Sequence, residues 1–213
     1  LAYNDFTNEF TAGKIKGLIN LRDTTLPNLQ AELDELAADF QEALNQVHNR
    51  GTAFPGAQAM DGSRIFVRPT EQTITLDSGG DDVKLILFDS SGDQYAATTL
   101  DTIMQSSSYG SAGQAANGPW TISEVAATIE DWLQGNGAAS ATASISTDGT
   151  FDITLNTTTL NLAFRDESAT TDGSTNEDVV IAYDAGGTTV TDDTESISGF
   201  SYFFGLNNFV ATN

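Results

Sequence analysis

The stretch Leu26-Pro-Asn-Leu-Gln-Ala-Glu-Leu-Asp-Glu-Leu-Ala-Ala-Asp-Phe-Gln-Glu-Ala-Leu-Asn-Gln-Val-His-Asn-Arg50 decides how the chain is read. Leu26, Leu29, Leu33, Leu36, Phe40, Ala43 and Val47 recur in alternating steps of three and four, the spacing of a coiled-coil-like seam. Glu32, Asp34, Glu35, Asp39 and Glu42 fall off that seam and face water. Thr25 suits the cap of such a helix, Pro27 its first turn, and Gly51 the position after its last turn. A stripe this regular predicts a covered face with Phe40 at its centre.

Outward from this helix the texture changes in both directions. Residues 1–12 are a mixed polar and aromatic lead-in to Gly13, and Ile15, Leu18, Ile19 and Arg22 predict a short helix over 14–23. Beyond Gly51, Phe54-Pro55-Gly56 reads as a loop, and residues 65–68, 73–76 and 83–88 read as strands between Gly/Asp/Ser turns. Residues 105–118 are small, polar and uncharged, the composition of a flexible loop.

A second helix is announced by Thr121-Ile-Ser-Glu124, a capping box, with Trp120 placed to staple onto Val125. Ile122, Val125, Ala126, Ile129, Trp132 and Leu133 form its apolar face, and Gly135 ends it. Residues 141–146 and 151–155 flank Thr147-Asp-Gly-Thr150, a hairpin whose Asp-Gly turn calls for positive φ at both central residues. Residues 160–164 and 179–183 are further strands, and the acidic tracts at 166–178 and 184–196 read as exposed loops or edges.

The fold class is therefore α+β: a long amphipathic N-terminal helical layer, then antiparallel β structure with one packed helix in a small insert module. The expected organisation is a helical region at 1–55, joined by a return segment at 197–213, and a β-rich outer body at 56–196. That body includes a strand-helix-hairpin module at about 119–165, and the boundary falls near 52–62. The aromatic run at 200–209 is expected to fold back onto the first helical region and cover the seam, because Phe200, Phe203, Phe204 and Leu206 need burial.

The formal charge is −22, from 30 acidic and 8 basic side chains, which repels nucleic acid and anionic lipid. No run reaches the roughly 18 apolar residues of a membrane span. Leu1 and Ala2 open no recognisable leader, so the sequence reads as an excised piece of a longer protein. With no cysteine, disulfides, zinc–thiolate sites and thiol catalysis fall away together.

Chemistry finds little support. Nucleophilic hydrolysis needs a base beside the nucleophile, and the sole histidine, His48, stands in the last turn of the seam helix, where a cation complements the helix dipole. Gly199-Phe-Ser201-Tyr-Phe203 lacks the closing glycine of a nucleophile elbow, and Gly135-Asn-Gly137 follows a helix where a dinucleotide loop must follow a strand. The acidic turns Asp77–Asp82, Asp89–Asp93 and Asp172–Asp178 do not match the calcium-loop spacing and read as turns. No catalytic, cofactor or metal residues are assigned, and no enzymatic activity is expected.

One resemblance is specific. Gly13-Lys-Ile-Lys-Gly17-Leu-Ile-Asn-Leu-Arg22-Asp23, then Leu26-Pro27, then the seam closing on Asn45-Gln-Val-His48-Asn-Arg-Gly51, resembles the flagellar hook-associated protein 1 family, with Ile15 for the usual Leu. At the far end, Phe203-Phe204-Gly205-Leu206-Asn207-Asn208-Phe209 is similar to the family's Phe-Phe-Gly-Leu-Asn-Asp-Phe run, with Asn208 for the usual Asp. Asp61-Gly-Ser-Arg-Ile-Phe66 stands where the family has Gly-Gly-x-x-Phe-Phe, and 119–155 is similar in pattern to insert modules of flagellin-like proteins.

The resemblance implies a structural subunit exported through the flagellar type III apparatus and assembled as a ring at the extracellular hook–filament junction. The implied partners are the hook protein, the second hook-associated protein, copies of itself and an export chaperone. The family's terminal helices are not in this sequence, which leaves a monomer as the expectation for this piece. Arg22, Asp23, Asn45 and His48 read as packing and capping residues. The alternative is an extracellular β-rich adhesin or a glycan- or calcium-binding module.

Overall fold

The computed structural model describes residues 12–51, 56–76, 82–110, 113–167, 178–186 and 194–210. The lead-in at 1–11, the Phe54-Pro55 loop and the acidic turns at 77–81 and 172–177 lie outside the described residues, as does the end of the return segment at 211–213. The chain is α+β and divides into two compact units, Leu1–Leu44 and Asn45–Asn213.

Helix α1 (Gly13–Asn20) runs without a break through a π-helical turn at Leu21–Thr25 into α2 (Leu26–Arg50). The sequence expectation of a fresh start capped by Thr25 is corrected here. Pro27 has no N–H to offer the Asp23 carbonyl, and its ring would crowd that carbonyl in a plain α-helix. The turn ahead of it is widened instead, with the Leu26 N–H donating to the Leu21 carbonyl, five residues back.

A second correction concerns the seam. Leu29, Leu33, Leu36 and Phe40 are 50%, 57%, 63% and 67% exposed, and Val47 is exposed as well. The buried residues of α2 are Asn45 and Asn49. Periodicity fixes which side chains share a face but not what covers that face. The aromatic run expected to cover it is spent elsewhere.

In the larger unit the described strands are antiparallel throughout. One sheet has the order β4 (Gln94–Thr99), β3 (Asp82–Asp89), β8 (Leu160–Glu167), with Val83, Leu85 and Leu87 turned inward at alternate positions. A second runs β10 (Thr194–Ser198), β9 (Val180–Asp184), β2 (Thr73–Leu76), β5 (Trp120–Thr121). The third runs β1 (Ala59–Asp61), β7 (Phe151–Thr154), β6 (Thr142–Ile145). Helix α3 (Leu100–Gln105) follows β4, with its N-cap Thr99 accepting from the Thr102 N–H.

Helix α4 (Ile122–Gly135) carries the predicted reciprocal cap. Thr121 Oγ1 accepts from the Glu124 N–H at 3.2 Å, and Glu124 Oε2 accepts from the Thr121 N–H at 2.9 Å. The hairpin after it differs from expectation. Only Gly149 has positive φ (+89°), and the Gly149 N–H closes a turn onto the Ser146 carbonyl. The connection is thus a three-residue loop with glycine in the left-handed position, not a two-residue Asp-Gly turn.

Residues 65–68 are not a strand. Phe66 is buried and donates one backbone bond to the Gly149 carbonyl, while Ile65 and Val67 stay exposed. The expected flexible loop at 105–118 is described over 105–110 and 113–118, and its second part is tied down. The Gln114 N–H donates to the Met104 carbonyl, the Asn117 N–H to Asp101 Oδ1, and Trp120 Nε1 to the Ala115 carbonyl.

The core closes on α5 (Phe200–Phe204), set between Gly199 (φ +97°) and Gly205 (φ +69°). Asp166 Oδ2 accepts from the Phe200 N–H at 3.2 Å and the Val179 N–H at 3.3 Å, which pins the start of this turn to β8. Phe203 and Phe204 are fully buried, with ring centroids 5.8 and 5.5 Å from Phe66; Phe204 is also 4.8 Å from Phe151. The Arg64 guanidinium lies 4.8 Å above the Phe203 ring.

Candidate functional site

The last two turns of α2 place Asn45 and Asn49 four residues apart, on one face of the helix. Residues 207–210, leaving α5, come alongside that face. Asn45 Nδ2 donates to the Val210 carbonyl and Asn45 Oδ1 accepts from the Val210 N–H, both at 2.9 Å. The side-chain amide thereby substitutes for a neighbouring strand, satisfying both backbone groups of one residue.

Asn49 completes the arrangement. Its Oδ1 accepts from the Asn207 N–H at 3.1 Å; its Nδ2 donates to Asn208 Oδ1 and to the Asn45 carbonyl, each at 2.8 Å. Asn208 Nδ2 passes the connection on to Ser63 Oγ at 2.6 Å. His48 Nδ1 lies 2.7 Å from the Asn207 carbonyl, so that nitrogen carries the proton in this contact, and its ring sits 5.3 Å from Phe209. Asn207 Nδ2 reaches the carbonyls of His48 and Gly51, bonding the end of the helix. Arg50 grips the carboxylate of Asp178 ahead of β9 at 2.8 Å.

Two glycines stand at this approach, and one of them is required for it. Gly205 turns the chain out of α5 in the left-handed region, and a Cβ there would overlap the Ser63 side chain. A Cβ at Gly51 would stand 3.3 Å from the His48 carbonyl, tight but without left-handed φ. Leu206, next after Gly205, is buried and anchors the segment to the core.

Of the residues the sequence singled out, the structure thus joins Asn45, His48, Gly51, Phe204, Gly205, Leu206 and Asn207 in one place. The remainder, Gly13, Gly17, Arg22, Asp23, Leu26 and Pro27, belong to the smaller unit. Arg22 and Asp23 pair with each other through Nη2 and Oδ2 at 2.9 Å, and this bond to Arg22 holds the Asp23 carboxyl below its usual range. Gly13 has φ +89°; Gly17 has open space where a Cβ would stand, so nothing in the described residues requires glycine there.

Sequence reading did not single out Asn49, Ser63 or Val210. The available signal was the pair of amides at i and i+4 on a helix whose other face is apolar. Elsewhere, Asp89 accepts from the N–H groups of Ser91 and Asp93, the bonding of a turn. Among the described residues there is no group of three His, Asp or Glu able to hold a metal ion, and no helix long and apolar enough to cross a membrane.

The chemistry of the site is fastening. Amides, one imidazole and backbone groups bond one another, and together they fix the end of an amphipathic helix to a β-rich body. Residues 2–66 match the family model described as flagellar hook-associated protein FlgK helical domain. No curated protein and no solved structure matches the chain. The matched segment carries α1, α2 and the helix side of the clasp; the answering residues 207–210 lie beyond it.

Proposed function

We propose that this chain is a structural component of the bacterial flagellum, exported and assembled as a ring of subunits where the hook meets the filament. The observation that carries this reading is the family match over 2–66. The clasp supports it, because Asn45, His48 and Gly51 in that segment meet the Gly205-Leu206-Asn207 run, the two parts of the sequence that resemble the family. The domain reading goes with it: a helical region at 1–55 with a return segment at 197–213, and a β-rich body at 56–196. Partners would be the hook protein, the second hook-associated protein and further copies of the chain, with an export chaperone before assembly. The match favours this over an adhesin or a glycan- or calcium-binding module.

Immunogold labelling of flagella from the source cell, with antibody raised against this chain, tests the reading. Label confined to the hook–filament junction is expected. Label spread along the filament would move the protein to another axial position, and label on the cell wall would favour the adhesin.

A further inference from the structure

Strand β6 has β7 on one side and, among the described residues, no strand on the other. The Ser146 N–H donates to the Thr150 carbonyl at 2.8 Å, which fixes the parity of the ladder. Residues 144 and 142 therefore turn their backbone groups toward β7, while Ala143 and Ile145 turn theirs outward. An independent bond agrees: the Ala143 N–H is taken by Glu130 Oε2 of α4 at 2.9 Å.

Between α4 and this outward edge runs a groove of about 570 Å³, walled by Ala126, Ala127 and Glu130 on the helix side and by Phe66, Val67 and Pro69 beyond the edge. Val67 is 81% exposed, so the apolar lining is open to an incoming chain. A strand edge with no strand partner, whose Ile145 backbone faces a groove of mixed apolar and hydroxyl lining beside a helix, is a geometry that accepts an extended peptide as an added strand. Main-chain bonds to Ile145 would supply registry, and successive side chains would alternate between the α4 wall, with Glu130, and the wall of Phe66, Val67 and Pro69.

Charge selects the occupant. Glu130 is the one ionisable residue lining the groove; its Oε2 holds Ala143, and Oε1 has no hydrogen bond among the described residues. The chain as a whole carries −22. A second copy brings the same charge and is disfavoured. We infer that the groove between α4 and the free edge of β6 binds an extended segment of another protein, one that alternates apolar and cationic residues, with a Lys or Arg meeting Glu130. This inference is independent of the flagellar reading.

The test is an amide NMR titration of the whole chain with a blocked peptide of alternating Val and Lys, and with its Val and Glu counterpart. Saturable shifts centred on Ala143 and Ile145 are expected with the Lys peptide, and binding at least about tenfold weaker with the Glu peptide. Glu130→Gln keeps an acceptor for Ala143 and should weaken the Lys peptide about tenfold. Ala127→Arg, at an exposed helix position, should block the groove while leaving the circular dichroism spectrum unchanged. Shifts that map away from β6, equal binding of both peptides, or full binding by both variants in their folded state would each overturn the inference.

Discussion

At the scale of single residues, the clasp makes predictions that depend on which atom does what. Asn45→Ala removes both bonds that this 5% exposed amide makes to the Val210 N–H and carbonyl, and should cost about 1–3 kcal/mol in urea denaturation. Asn208→Asp should cost less than about 1 kcal/mol, because a carboxylate can accept from both Asn49 Nδ2 and the Ser63 hydroxyl. Equal losses from the two would mean that the amides are not the holding groups. The acid named as usual at position 208 in the resembled family would fill the same place. Asp82 allows a test by pH. Burial, the largest influence, raises its pKa above 3.8, while bonds from Thr99 and from the Asp101 and Val83 N–H groups act the other way. A raised carboxyl pKa means the native chain binds a proton before the unfolded chain does, so stability is gained as pH falls through the folded value. Asp82→Asn keeps an oxygen acceptor and loses the charge. Its melting temperature should exceed the parent's at neutral pH, and the gap should narrow on acidification toward 3.8. Of the site itself, the sequence showed both halves and the return of the second onto the helical region, but not which side chains would meet. Asn45 and Val210 are 165 positions apart, and no local pattern encodes a contact at that range.

At the scale of elements, legibility followed the locality of the signal. The start of α4 could be read because Thr121 and Glu124 cap each other within four residues. The pair β4 and α3 could not, since Ala96-Ala-Thr-Thr99 has no alternation to mark a strand and Leu100–Gln105 is too short to show a period. The three-residue hairpin loop was missed because Asp-Gly is compatible with either turn, and the position of the Ser146–Thr150 bond decides between them. For α2 the periodic face was legible and its environment was not. This gives a contrast between two phenylalanines. Phe40→Ala, at a position 67% exposed, should shift stability by about 0.5 kcal/mol or less. Phe204→Ala, fully buried among Phe66, Phe151, Phe200 and Phe203, should cost about 3–5 kcal/mol. A large loss for Phe40→Ala would show the seam covered in solution.

At the scale of the whole molecule, the excess of acid dominates. A charge of −22 on 213 residues means that compaction works against mutual repulsion among carboxylates. Raising the ionic strength from about 0.01 M to about 0.15 M shortens the screening length from about 30 Å to about 8 Å. The melting temperature should therefore rise with sodium chloride over this range, and a fall would mean that ion pairs such as Arg50–Asp178 outweigh the repulsion.

The clasp also bears on the rate at which the chain reaches its native form. Its Asn45 and Asn49 bonds join positions 158 to 165 apart, so they close a loop of about three quarters of the chain, at an entropic cost of roughly 4–5 kcal/mol before other terms. Contacts of such separation form late, after the local hairpin and helices have shortened the path between the ends. Asn45→Ala and Asn49→Ala should then speed unfolding in stopped-flow measurements by nearly the whole of their effect, leaving the refolding rate of the parent. Refolding slowed by the same factor would place the clasp in the nucleus instead. In a chain that emerges amino end first, α2 is finished long before Asn207 and Val210 arrive to hold it. Closure of these amides then marks the moment when the whole body has folded.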